Sequence, residues 1–194
     1  FRCAKLFWWY NMYSSADYSI TPRPLYGSDG NKVFDVHSQP LELRHKIKRD
    51  LGEFPFPSFW GPTAGIDSSQ WIAESARWIE ERHQPDLSLV YLPHLDYDLQ
   101  RFGPNDPRIK TALQAIDEVA GDLIDFFEER RVRVIVLSEY GITEVRRTIH
   151  PNREFRHQGW LRIKEEFGLD AIDCGSSRAL SLIHISEPTR PIDI

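Results

Sequence analysis

The sequence predicts an α/β domain, a mostly parallel sheet flanked by helices, and three observations carry that prediction. Two short apolar runs break into polar residues, in LVYLPHLDYDLQRFGP (89–104) and VIVLSEYGI (134–142). A long amphipathic stretch joins them with short links, the pattern of a right-handed βαβ unit. The chain has 194 residues, 41% hydrophobic and 27% charged, enough to bury a core without staples.

Taken in order, Ala4 to Tyr13 (AKLFWWYNMY) reads as a buried strand leading into a loop. Residues 19–40 hold Pro22, Pro24, Gly27, Gly30 and Pro40, with SDGN at 28–31 as a turn signal. A short helix is expected from Leu41 to Leu51, stopped by Gly52. The prolines of FPFPSFWGP (54–62) forbid a central strand, so its aromatics either line a pocket mouth or pack on the body. Asp67 or Ser68 caps a helix running to about His83, with Trp71, Ile72, Ser75, Trp78 and Ile79 on one face. PDLSLVYLP (85–93) is the next strand. Asp106-Pro107 opens a helix to Arg131 with a stripe of Ile109, Leu113, Ile116, Ala120, Leu123, Ile124 and Phe127. Val132 to Leu137 follows as a strand, and a last helix is expected near Trp160 to Phe167. Strands 87–93 and 132–138 should then be parallel neighbours, with helix 107–131 packed across them.

Composition narrows the partners. The net charge of −5 and pI near 5.8 argue against nucleic acid as a macromolecular partner. No apolar run approaches the roughly 20 residues of a membrane span. Cys3 and Cys174 lie far apart with no CxxC spacing, which favours a reducing compartment, cytoplasmic or plastid-type. Phe1 in place of an initiating Met suggests a fragment, so nothing is read about targeting.

The C-terminal LSLIHISEPTR (180–190) has no periodicity, and it matches, residue for residue, the translation of a nucleotide string that resembles a transposon end plus adapter used in sequencing libraries. The organisation expected is a partial domain over 1–179 and a non-native tail over 180–194. Removing the tail, with its two acids and one arginine, leaves a charge of about −4, so the acidic balance stands.

In open α/β sheets, ligands collect beyond the carboxyl ends of strands. Asp96, Gln100, Glu139 and Tyr140 are therefore expected to share one crevice, with His94 and Asp98 nearby. Converging carboxylates and imidazoles can hold a divalent metal that polarises a phosphoryl oxygen or activates a nucleophile. The plainer alternative is that these carboxylates cap helix 107–131 or pair with Arg101 and Arg146. His94 by itself reads as a hydrogen-bonded structural histidine.

The order of elements resembles the nucleotide pyrophosphatase/phosphodiesterase branch of the alkaline phosphatase superfamily. That branch carries a PDL-type strand and an Asp, then D-x-x-x-H-x-x-G-P, a helix with an internal Asp, and an apolar strand ending S-D-H-G-M. Here stand PDLSLVYLPHLD, then DYDLQRFGP from Asp96 to Pro104, Asp117, and Ser138-Glu139-Tyr140-Gly141-Ile142. The upstream Lys5 to Trp9 is similar as well, so the likeness spans 1–179. The resemblance implies an alkaline-phosphatase-like three-layer sandwich, present in part, and a metal-dependent phosphodiesterase or phosphatase. It implies a divalent metal such as zinc as cofactor and a small-molecule phosphoester or related metabolite as partner. Asp96 matches an aspartate ligand of one metal, and Gln100 stands where that metal has a histidine. Glu139 and Tyr140 stand where an aspartate and a histidine bind the second. A neutral amide is a weak zinc ligand, and a phenol must lose a proton with a pKa of about 10. The resemblance places the nucleophile upstream of Phe1. These changes raise an alternative: a pseudoenzyme that holds a phosphorylated or prenylated metabolite without cleaving it. They also lead to the expectation that the Asp96 and Glu139 carboxylates approach one another.

Overall fold

The computed structural model describes residues 1–8, 10–26, 32–144, 149–166 and 168–181. The chain divides into two units, 1–143 and 144–194. In the first, four strands form one sheet: β1 (Cys3–Leu6), β2 (Tyr18–Tyr26), β3 (Lys32–Gln39) and β4 (Leu87–Val90), in the order β3-β2-β1-β4. β1 runs parallel to β2 and β4, whereas β2 and β3 are antiparallel. The sheet is mixed rather than mostly parallel.

β1 is shorter than the apolar run suggests. Ala4 and Leu6 are fully buried, but Phe7 has a φ of 56°, which takes the chain out of the strand. The Asn11 side-chain amide then donates to Lys5 O and Ile20 O, both at 2.9 Å, stitching the turn to β1 and β2. Residues 19–26 and 32–39 make up most of the β2–β3 pair, from Ser19↔Gln39 to Tyr26↔Lys32, and the turn expected at SDGN, 28–31, lies outside the described residues. Their prolines are tolerated for a geometric reason. Phe7 N–H donates to Ile20 O at 2.8 Å, so Ile20 addresses the β1 side. Pro22 and Pro24 share its parity and address that same side, past the last residue of β1, where no ladder bond is lost.

The helices of this unit are α1 (Leu43–Leu51), α2 (Ile66–His83), α3 (His94–Phe102) and α4 (Arg108–Glu129). Ser38 Oγ accepts the Arg44 N–H at 2.9 Å, taking up a donor of the first turn of α1, and Gly52 ends that helix with a φ of 84°. On α2, Trp71, Ile72, Ser75, Trp78 and Ile79 are all buried, the face its spacing predicts. Trp71, Ile72, Trp78 and Ile79 join Leu6, Ile20, Val36 and Ile47 in the core. The 54–62 loop packs on the body: Phe54, Phe56 and Phe59 are buried, and the Phe7 ring lies 4.8 Å from Phe54 and 5.7 Å from Phe59. On α4 the buried positions are Ala112, Leu123 and Phe127, while Leu113 of the expected stripe is half-exposed.

Residues 132–138 do not form the expected strand beside β4. No strand among the described residues pairs with the second edge of β4, and Ile135, Val136 and Leu137 are 77%, 76% and 67% exposed. Apolar composition marks a segment as strand-competent, but a strand exists only against a neighbour.

In the second unit, α5 (Pro151–His157) precedes an antiparallel hairpin of β5 (Ile163–Glu166) and β6 (Leu169–Ile172). The helix expected near 160–167 is therefore wrong. The helix is closed earlier by Gly159, with a φ of 70°, and Gly168, with a φ of 76°, turns the hairpin. Of the proposed non-native tail, 182–194 lie outside the described residues. Ser181 exchanges hydrogen bonds with Asn152, at 2.6 and 2.9 Å. Among the described residues, no helix is long and apolar enough to cross a membrane.

Candidate functional site

The carboxyl end of β4 delivers the site. After Val90 the chain passes Tyr91, Leu92 and Pro93 and turns directly into α3, placing Asp96 in its first turn. Negative charge is favoured there by the exposed N–H groups of a helix start. This short helix was not expected, because its residues read as a motif rather than as a periodic face. Gly103, with a φ of 79°, ends it.

From the other side comes Tyr140, whose phenol donates to Asp96 Oδ1 at 2.6 Å. Tyr140 is also hydrogen-bonded to Tyr91. Its only hydroxyl proton is committed to Asp96, so Tyr91 donates and the chain runs Tyr91 to Tyr140 to Asp96. Burial, and then the bond to Asp96 and the neighbouring groups, push the Tyr140 phenol far above its ordinary value. It is a donor at any physiological pH. Tyr91 is raised as well, by burial first and then by the charge of Asp96, with Glu139 adding to it. Both carboxylates thus act on one phenol.

The remaining candidates divide. Gln100 lies one turn beyond Asp96 on α3 and is exposed. Asp98 pairs with Arg101 at 2.9 Å, the plainer of the readings open to it; Arg146, the other arginine of that reading, lies outside the described residues. Arg101 also donates to Gly61 O at 2.8 Å and to Ala64 O at 3.3 and 3.4 Å, tying α3 to the aromatic loop. His94 is not hydrogen-bonded as expected: both ring nitrogens are buried and have no hydrogen-bond partner among the described residues. It sits beside Ser58, Phe59, Gly65, Ser68 and Tyr97.

Two residues that shape the site escaped sequence reasoning. Tyr91 looked like an ordinary strand residue, and Arg101 like a loose partner for an acid. The signal for Tyr91 was its place as the first residue past the strand, beside the polar break.

The donor chemistry bears on a metal. Asp96 and Glu139 offer hard carboxylate oxygens of the kind divalent cations take. Gln100 offers only a neutral amide, and Tyr140 holds its proton. No group of three or more His, Cys, Asp or Glu among the described residues is placed to hold a metal. By donor type alone the two carboxylates suit a cation and the amide and the protonated phenol do not, and a complete shell needs further donors.

Comparison with known proteins gives the chemistry a family. A family model described as type I phosphodiesterase/nucleotide pyrophosphatase matches residues 1–188. An uncharacterized pyrophosphatase/phosphodiesterase of Schizosaccharomyces pombe is 34% identical over 71 residues, which cover 34% of this chain and 15% of that relative. No solved structure gives a significant match. Because the family match runs over nearly the whole sequence, the chain belongs to the type I phosphodiesterase/nucleotide pyrophosphatase family.

Proposed function

We propose that this chain is part of a phosphodiester or pyrophosphate hydrolase whose substrate sits beyond the carboxyl end of β4, against Asp96, Glu139 and Tyr140. Family membership supports the reaction class. The observation that carries the placement is the 2.6 Å bond from Tyr140 to Asp96, which joins the ends of two chain segments separated by the whole of α4. The α/β unit is then a portion of an alkaline-phosphatase-like three-layer sandwich, and the substrate is a small phosphoester.

Asp96 and Glu139 would hold a divalent cation such as zinc, which when bound supplies charge that polarises a phosphoryl oxygen. This chain's own residues have separate tasks. Asp96 and Glu139 provide negative charge at the crevice. Tyr140, protonated, holds Asp96 in place and can redirect its hydroxyl to a phosphoryl oxygen when substrate enters. Arg101 fixes α3, and with it Asp96, against the 61–64 turn.

A second reading is favoured by the same bond. With its carboxylate engaged by Tyr140, the site suits a pseudoenzyme that retains a phosphorylated or prenylated metabolite without hydrolysing it. The experiment is hydrolysis of a chromogenic phosphodiester by the natural protein with zinc or magnesium added. Turnover lost in Asp96→Asn supports the hydrolase. No turnover in the native protein, with a phosphorylated metabolite co-purifying, moves the assignment to the pseudoenzyme.

A further inference from the structure

We propose that the cleft between the carboxyl-terminal ends of α2 and α4 is a binding site for a small primary amine, whose ammonium group is held by Glu80. The cleft lies at the amino end of β4: Gln84, one of its lining residues, stands just before that strand, whereas Asp96 follows the strand's carboxyl end. Arg2, just before β1, donates to Gln84 O at 3.1 Å, which ties the cleft to the amino end of β1 as well. The inference goes beyond the hydrolase reading and does not depend on it.

The cleft has a volume of about 520 Å³ and is lined by Glu80, Glu81, Gln84 and Arg130. That is within the roughly 300–1,000 Å³ of small-molecule sites. Glu80 and Glu81 belong to the last turn of α2, Gln84 caps it, and Arg130 caps α4. Both helices thus bring the negative ends of their dipoles to the cleft. Glu80 is the group that calls for a ligand. It is only 7% exposed, it lines the cleft, and its carboxylate makes no hydrogen bond or ion pair among the described residues. Buried carboxylates are ordinarily paired, because taking the charge out of water is costly.

The other lining charges are already engaged. Arg130 donates from Nη1 to Phe126 O at 3.0 Å, its Cζ lies 3.7 Å from the centre of the Phe126 ring, and Nη2 reaches Glu81 at 3.8 Å. Glu81 is shared with Arg82 at 3.5 Å. Two glutamates and one arginine leave one negative charge over, and it falls on Glu80. Burial pushes the Glu80 carboxyl above its ordinary range, and the charge of Arg130 offsets this only in part.

The occupant is a monocation because one counter-charge is missing. A divalent metal fits poorly: two carboxylates fall well short of the about six oxygens such an ion takes, and Arg130 beside them opposes a double charge. A primary ammonium fits better than a quaternary one, because its three N–H donors match the acceptors of Glu80, Glu81 and the Gln84 side-chain carbonyl. The volume exceeds that of an ammonium alone, so the amine carries a short chain. The lining is polar throughout, so that chain bears a hydroxyl, which makes the ligand class a small amino alcohol.

The test is calorimetric titration of the natural protein with ethanolamine at about pH 8, repeated on Glu80→Gln and Arg130→Gln. The expected result is saturable uptake of one equivalent. Uptake should be at least about tenfold weaker in Glu80→Gln, which keeps the shape but loses the charged acceptor. It should be at least about threefold tighter in Arg130→Gln, which removes the competing positive charge. The Arg130 side chain is 38% exposed, so that variant keeps the test decisive even if Glu80→Gln fails to fold. Tetramethylammonium, with the charge but no N–H, should not displace ethanolamine. Four results would overturn the proposal: no saturable uptake by the native protein, unchanged uptake in a folded Glu80→Gln, equal or weaker uptake in Arg130→Gln, or displacement by tetramethylammonium. Amine uptake reads this cleft and turnover reads the crevice at Asp96, so the two accounts fail separately.

Discussion

Replacing Arg101 with methionine cuts the tie between α3 and the aromatic loop while keeping the aliphatic stem in place. Four interactions are lost: a 2.8 Å bond to Gly61 O, two longer bonds to Ala64 O, and the 2.9 Å pair with Asp98. The Arg101 side chain is 21% exposed, so each contributes less than a fully buried charged bond. With about 1.5–3 kcal/mol for a hydrogen bond to a charged group, and well under 1 kcal/mol for a partly exposed ion pair, the expected loss is about 2–3 kcal/mol. Urea denaturation followed by tryptophan fluorescence is a suitable assay, because Trp71 and Trp78 are buried in the same unit. A double-mutant cycle with Asp98→Asn should give a coupling of only about 0.5–1 kcal/mol, leaving the larger part to the two carbonyls. A total loss below about 0.5 kcal/mol would refute the reasoning. So would a coupling equal to the whole loss, since the carbonyl bonds would then contribute nothing.

Ile72 is fully buried on α2, so Ile72→Ala should cost about 2–5 kcal/mol in the same urea assay, whereas a loss under 1 kcal/mol would mean the core is misplaced. His83, stacked 4.3 Å from Tyr18, is held below its ordinary 6.5, by burial first and then by Lys46, Arg2 and Arg82. Its contribution to stability is complete above pH 6.5 and is lost as pH falls through the lowered native value, because the unfolded chain takes up the proton first. Urea midpoints across that window should fall with pH in the native protein and fall less steeply in His83→Gln. Tyr140→Phe should tighten divalent-cation binding, by up to about tenfold or ~1.4 kcal/mol, because Asp96 is released from its phenol. Weaker binding in that variant would make Tyr140 a ligand instead.

Where local pattern and tertiary context agree, the sequence was enough. The buried face of α2 followed from spacing alone, as did α4 and the strand at 87–90, since each is encoded within a few turns or residues. Pro22 and Pro24 concealed β2, because what makes them tolerable is where β1 stops, and that depends on a residue sixteen or so positions away. Val132 to Leu137 misled in the opposite sense, being fit for a strand without a neighbour to define it. The site was partly legible. Asp96 and Tyr140 are brought together by a hydrogen bond, although 132–138 does not form the strand on which the strand-end argument relied. The linking role of Tyr91 lay in side-chain geometry that no periodicity records.

The central claim is that Asp96 and Glu139 are the carboxylates of a cation-assisted phosphoester site. Calorimetric titration of the natural protein with zinc tests it most directly, with Asp96→Asn and Glu139→Gln as variants. The account predicts stoichiometric uptake by the native protein that is lost or sharply weakened in each variant. Uptake of the same stoichiometry and affinity in both variants would contradict it.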